Sequence, residues 1–186
     1  PVTLRAVGRD AGGFGPSETV ADVVIVNRPV PSEQALVLDA HPDGVAAIAF
    51  SPDGALLASG GGPHVRLWDT TTGGLAREIP LPASVFGDKS IAFSPDGAAL
   101  AIGTADNLML VSTDTGAQLA GPLGLRGARA AVAFSPDGSQ LAAGTGDGSV
   151  DIWTMTPGTY DDDLWDTIQS LGGEVFSLAF APDSST

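Results

Sequence analysis

One hexapeptide governs this chain. Ala-Phe-Ser-Pro-Asp-Gly stands at Ala49–Gly54, at Ala92–Gly97 and at Ala133–Gly138, and a looser copy, Ala-Phe-Ala-Pro-Asp-Ser, stands at Ala179–Ser184. In each copy an apolar stretch runs into a turn. Ser bonds back to the backbone, Pro presets φ near −65°, Asp suits the bridge region, and Gly follows. A second apolar run comes next, at Leu56–Ser59, Leu100–Gly103 and Leu141–Gly144, so each copy predicts a β-hairpin. Phe50, Phe93, Phe134 and Phe180 are separated by steps of 43, 41 and 46 residues. A chain repeating at this interval is confined to a short menu of folds, because each unit is a small sheet that buries its faces only against its neighbours.

Four strand signals per unit select the all-β part of that menu, a β-propeller of four-stranded blades. In the first unit the strands read as Val45–Phe50, Leu56–Ser59, Val65–Trp68 and Arg77–Leu81, after a leading strand at Ala35–Leu38. The second reads as Ser90–Phe93, Ala99–Gly103, Leu108–Val111 and Gln118–Ala120; the third as Ala130–Phe134, Gln140–Gly144, Val150–Trp153 and Thr167–Leu171. Val175–Phe180 is expected to open a fourth. The strands are nearly continuous apolar runs rich in Ala, which suits sheets covered on both faces. About three blades make an incomplete ring, and the chain reads as a piece of a longer protein.

Residues 1–31 stand outside the repeat. Val2–Val7 and Val20–Asn27 are strand candidates around the Gly-rich loop Gly8–Ser17. They resemble the last two strands of an immunoglobulin-like or fibronectin-type-III-like module, which predicts an N-terminal β-hairpin at 1–31, joined by a short linker to blades over 32–186. Of the 186 residues, 43% are hydrophobic and 16% charged, a globular composition. The formal net charge of −14 argues against nucleic-acid binding and against anionic membrane surfaces. No apolar run approaches the ~20 residues of a membrane-spanning helix. With no cysteine, disulfides are excluded.

The phrases His41…Phe50-Ser-Pro-Asp-Gly54…Val65-Arg-Leu-Trp-Asp69…Thr72-Gly73 and Phe134-Ser-Pro-Asp-Gly138…Asp147-Gly-Ser-Val-Asp-Ile-Trp153 resemble the WD-repeat family of β-propellers. Phe50 to Phe134 is 84 residues and Trp68 to Trp153 is 85, which places one inserted residue after the Ser-Pro-Asp-Gly turn. In that family a buried His, Ser or Thr, Asp and Trp form a hydrogen-bond network within a blade. The resemblance implies pieces of it here: His41, Ser59 and Trp68 in the first unit, with Gly62 in place of Asp; Asp106 in the second, with Ser84 and Ser112 in place of His and Trp; Asp147 and Trp153 in the third, with Leu125 in place of His. A structural role is expected for them.

The chemistry-bearing residues point away from catalysis. His41 and His64 are the two histidines, and His64 is expected in a turn; a zinc site wants two or three such ligands converging. Asp161, Asp162, Asp163 and Asp166 lack the alternating spacing of a calcium loop and read as a solvated acidic loop. Tyr160 and Trp165 in that loop are the candidate partner contacts. The expectation is a non-catalytic scaffold that binds proteins through loop rims, with no cofactor, no metal, no nucleic acid and no membrane insertion, and with self-association through open blade faces. The alternative is a ligand-binding or hydrolytic propeller with a central-channel site. Residues 1–31 favour an extracellular or cell-surface bacterial protein, a cytoplasmic one being the alternative.

Overall fold

The computed structural model describes residues 3–4, 23–26, 36–38, 41–42, 44–85, 90–104, 107–124, 131–156, 163–168 and 172–182. Every regular element among them is a strand. β1 (Thr3–Leu4), β2 (Val23–Val26) and β3 (Leu36–Leu38) form a three-stranded antiparallel sheet. β4 (Ala47–Phe50), β5 (Leu56–Gly61), β6 (His64–Asp69) and β7 (Leu75–Pro80) form the first blade. β8 (Ile91–Phe93), β9 (Ala99–Gly103), β10 (Asn107–Ser112) and β11 (Gln118–Gly124) form the second, and β12 (Ala131–Phe134), β13 (Gln140–Gly144), β14 (Val150–Thr154) and β15 (Asp163–Ile168) the third. Each blade is an antiparallel meander in chain order. The chain is all-β, with three four-stranded sheets arranged as propeller blades.

The repeated turn explains why the first hairpin of each blade forms. Ser51, Ser94 and Ser135 each donate a hydroxyl hydrogen to the Asp two residues on, at 2.6, 2.5 and 2.6 Å. The same hydroxyl oxygens accept the amides of Leu56, Ala99 and Gln140, each at 2.9 Å. Gly54, Gly97 and Gly138 close the turns with φ of 72°, 72° and 74°, a left-handed conformation natural to Gly. The turns of successive blades touch: a Cβ on Gly97 would meet Pro52 at 3.6 Å, and one on Gly138 would meet Pro95 at 3.5 Å.

Residues directly opposite in an antiparallel pair share a face, so the registers sort each blade into two. Ala47, Ala58, Val65, Leu67 and Ile79 of the first blade pack on Ile91, Phe93, Leu100, Ile102 and Val111 of the second. The second blade's other face, with Ala99, Ala101, Leu108 and Leu110, packs on Val132, Leu141 and Trp153 of the third. Leu57 and Trp68, on the first blade's far face, are covered by Leu38 of β3. The inner strands β4, β8 and β12 run side by side.

The strand expected at Ala35–Leu38 is present as β3 and pairs with β2, Ile25 opposite Leu36 and Val23 opposite Leu38. The structure corrects three expectations. β15 begins at Asp163 and not at Thr167, and Trp165 and Asp166 lie in that outer strand; the ladder to β14, Thr154 opposite Asp163 to Val150 opposite Ile168, outweighs the weak strand preference of the aspartates. Residues 175–180 carry no strand: a strand is defined by its ladder, and no second strand of that unit lies among the described residues. His64 opens β6, opposite Gly61, and is not in the turn. The inserted residue falls in the β13–β14 turn: Gly144 pairs with Val150, whereas Gly60 pairs with Val65 and Gly103 with Leu108.

Candidate functional site

The largest constellation of sequence-predicted residues lies in the first blade. β5 places Ser59 opposite Arg66 and Leu57 opposite Trp68, so Ser59 and Trp68 share one face, two residues apart in register. Trp68 Nε1 donates to Ser59 Oγ at 2.9 Å. His41 Nε2 lies 3.0 Å from the same Oγ and 3.1 Å from the Ser59 carbonyl oxygen. Backbone bonds from Gly44 N to His41 O, 3.1 Å, and from Ala46 N to Gly60 O, 2.7 Å, fix the segment that carries the ring. Gly61 lets it come close, since a Cβ there would stand 2.7 Å from His41 Cγ. Burial lowers the pKa of His41, with Arg66 and His64 adding to the effect, against hydrogen bonds to the Ser59 and Gly61 backbone that raise it.

A Ser–His pair at 3.0 Å has the spacing of a nucleophile and its base. Ser59, however, is 1% exposed, and its oxygen already accepts the indole hydrogen. The trio joins His41 to β5 and β6 of the blade.

The other two blades lack the trio. Val111, not Ser112, occupies the place of Trp68, because Val111 lies opposite Leu100 as Trp68 lies opposite Leu57. Ser112 takes the place of Asp69: its Oγ accepts the Thr115 amide at 3.1 Å, as Asp69 Oδ1 accepts the Thr72 amide at 2.7 Å. In the third blade Trp153 is buried opposite Leu141, and Ala143 stands where Ser59 does. Asp147 turns inward on its own loop, where its Oδ1 accepts the Thr145 hydroxyl at 2.5 Å and the Ser149 amide at 3.0 Å. Asp106, Leu125 and Tyr160 lie outside the described residues, as do Asp161 and Asp162. Among the described residues no three His, Cys, Asp or Glu side chains converge as metal ligands, and no helix is long and apolar enough to cross a membrane.

Sequence reasoning missed two features. Asp151 of β14 is 3% exposed, and its Oδ1 accepts the Thr167 hydroxyl at 2.8 Å; in the first blade the same pair of positions carries Arg66 and Glu78, bonded at 2.7 Å. The register of β14 with β15 sets this pair, with Asp151 opposite Thr167. Gly60 and Gly144, at matching ends of β5 and β13, mark where the following unit comes close: a Cβ on Gly60 would lie 2.5 Å from Ile91 Cδ1, and one on Gly144 would clash with Val175.

Hydrogen bonds from Ser51, Ser94 and Ser135 hold the carboxyls of Asp53, Asp96 and Asp137 below the ordinary Asp value, that of Asp137 at about 2. Each of these turns therefore carries a carboxyl that ionises more readily than an ordinary Asp.

Comparison with known proteins agrees with this architecture. The family model described as WD domain, G-beta repeat matches residues 32–69 and 128–154, the first and third blades up to their third strands. A curated relative, Protein Mut11 of Chlamydomonas reinhardtii, is 39% identical over 69 residues, covering 32% of this chain. The match spans 19% of that relative's length. Repeat match and blade topology coincide on the same residues: the first and third blades are similar to the WD repeat, and the three four-stranded sheets are arranged as in part of a WD-repeat β-propeller.

Proposed function

We propose that the chain is a non-catalytic protein-interaction scaffold that receives its partners on the outer strands and loop rims of its blades. The observation that carries this reading is where large apolar side chains remain exposed. Leu75 on β7, Leu119 on β11 and Ile168 on β15 are 51%, 38% and 48% exposed, one on the outermost strand of each blade. The faces between adjacent blades are taken up by stacking, which leaves the outer strands among the surfaces open to a partner. Trp165, a candidate contact from the sequence, lies on β15 three residues from Ile168. The charge of −14 favours a partner with a basic surface and disfavours nucleic acid.

A central-channel enzyme would need polar groups converging from the inner strands. Those strands are Ala47–Phe50, Ile91–Phe93 and Ala131–Phe134, and every residue in them is apolar. Self-association through the open faces belongs to the same scaffold reading and is read by light scattering across a concentration series.

The test is affinity capture followed by calorimetry with the purified partner. Ile168→Asp and Trp165→Ala are expected to weaken binding by about tenfold or more, as interface anchors do, with unchanged urea midpoints. Binding unaffected by either change, or by Leu75→Asp, would remove the outer strands from the interface. Turnover of a small molecule by the purified chain would overturn the scaffold reading.

A further inference from the structure

Register places matching rows of residues on the same face of the first and third blades. In the first, Ala47, Gly60, Val65 and Ile79 stand opposite one another in turn from β4 to β7. In the third, Ala131, Gly144, Val150 and Ile168 do so from β12 to β15. The second blade covers the first row: Val65 is fully buried and Ile79 is 3% exposed. In the third blade Val175 reaches Gly144, but Val150 is partly exposed and Ile168 is 48% exposed. Ile152, the counterpart of the fully buried Leu67, is partly exposed as well. Phe176, the residue after Val175, is 73% exposed. At the other end of the blade stack the outward face is closed, since Leu57 and Trp68 of the first blade are buried with Leu38.

We propose that the uncovered half of the third blade's outward face is a self-docking surface, on which a second copy of this chain seats by two-fold symmetry, the Phe176 ring of each copy packing on Val150, Ile152 and Ile168 of the other. The inference rests on the self-association part of the scaffold reading and fixes its geometry. One patch holds both a projecting aromatic side chain and an apolar strip without full cover. It is therefore complementary to itself, which is what an isologous contact requires. A head-to-tail contact would need an open face at each end of the stack, and the first blade's is occupied by Leu38. The two-fold contact closes at two copies, whereas a head-to-tail contact continues until a ring closes. Burial of the aromatic and aliphatic side chains drives the pairing. The charge of −14 on each copy, with Asp163 and Asp166 on β15 itself, opposes it. Salt screens that repulsion and strengthens the dimer, the reverse of a contact held by opposite charges.

The experiment is sedimentation equilibrium of the full chain across a protein concentration series, at about 0.05 M and about 0.5 M salt. A monomer–dimer equilibrium that stops at two copies and tightens with salt is expected. Phe176→Ser and Ile168→Asp should each raise the dissociation constant about tenfold or more. Phe176 is exposed enough that its replacement should leave the urea midpoint unchanged, which keeps the test decisive if Ile168→Asp fails to fold. Leu75→Asp, on the outer strand of the first blade, should leave the dimer intact. A monomer at every concentration would overturn the proposal together with self-association. Growth past two copies, a dimer indifferent to Phe176→Ser, a dimer lost on Leu75→Asp, or a dimer weakened by salt would overturn this geometry alone and leave self-association standing.

Discussion

Ser59→Ala isolates the one hydroxyl on which the first blade's polar contacts converge. The change removes the acceptor of the Trp68 indole hydrogen, at 2.9 Å, and the partner of His41 Nε2, at 3.0 Å. The two losses are unequal. Trp68 is 7% exposed, so water does not replace the lost acceptor, and a buried donor left unmade costs ~1–3 kcal/mol. His41 keeps the Ser59 carbonyl at 3.1 Å and is half-buried, so its share is a few tenths of a kcal/mol. No cavity forms beyond one oxygen. The expected loss is about 2 kcal/mol, or ~4–8 °C in Tm for a chain of this size. Urea unfolding followed by tryptophan fluorescence measures it. Trp68→Phe removes the indole donor, and a double-mutant cycle with Ser59→Ala should return a coupling of ~1 kcal/mol or more. A loss under ~0.5 kcal/mol with no coupling would refute the reasoning, since Trp68 would then be held by packing alone.

Three further outcomes are expected. Gly61→Ala should destabilise more than Gly60→Ala: at Gly61 the new methyl meets the Gly44 carbonyl and the His41 ring, whereas at Gly60 it meets Ile91 Cδ1, a movable side-chain end; both fall in the ~1–3 kcal/mol of overpacking, and urea midpoints rank them. Ser135→Ala should raise the Asp137 pKa from about 2 towards 3.8, read from carboxyl carbon shifts; because the folded value is depressed, the turn's contribution is present above 3.8 in the wild type and is lost as pH falls through about 2. Arg77→Ala should loosen the contact between the first two blades, since the Arg77 guanidinium donates to the Asp114 and Thr115 carbonyls; faster amide exchange at the β10–β11 turn is the measurement, and unchanged exchange would show that the contact carries nothing.

The period of the turn made most of the blades legible, because Ser-Pro-Asp-Gly is a local signal whose bonds are all made within five residues. What the sequence hid is non-local. Val111 and Ser112 are adjacent, and only the pairing with Leu100 and Ala99 decides which one stands for Trp68. The aspartates from 161 to 166 read as loop, yet Asp163 and Asp166 sit in β15, where the ladder to β14 is decided by the neighbouring strand. The three members of the first-blade trio were legible as residue types through the family resemblance. Their convergence on one oxygen depends on the close approach at Gly61.

The alternation of small and large residues does more than bury apolar surface. On β4 and β5, Ala47, Ala49 and Ala58 share one face, and Ile48, Phe50 and Leu57 share the other. On β8 and β9, Ala92 and Ala101 oppose Ile91, Phe93, Leu100 and Ile102 in the same way; on β12 and β13, Ala131, Ala133 and Ala142 oppose Val132, Phe134 and Leu141. Every small face therefore receives the large face of the blade that follows, as the shared clusters show. A one-residue slip in any inner strand would set phenylalanine against large side chains and alanine against alanine. Overpacking on one side and voids on the other would both be penalised. The repeat thus encodes its own stacking direction. Leu38 on the large face of the first blade and Val175 against Gly144 on the small face of the third obey the same rule outside the four-stranded sheets.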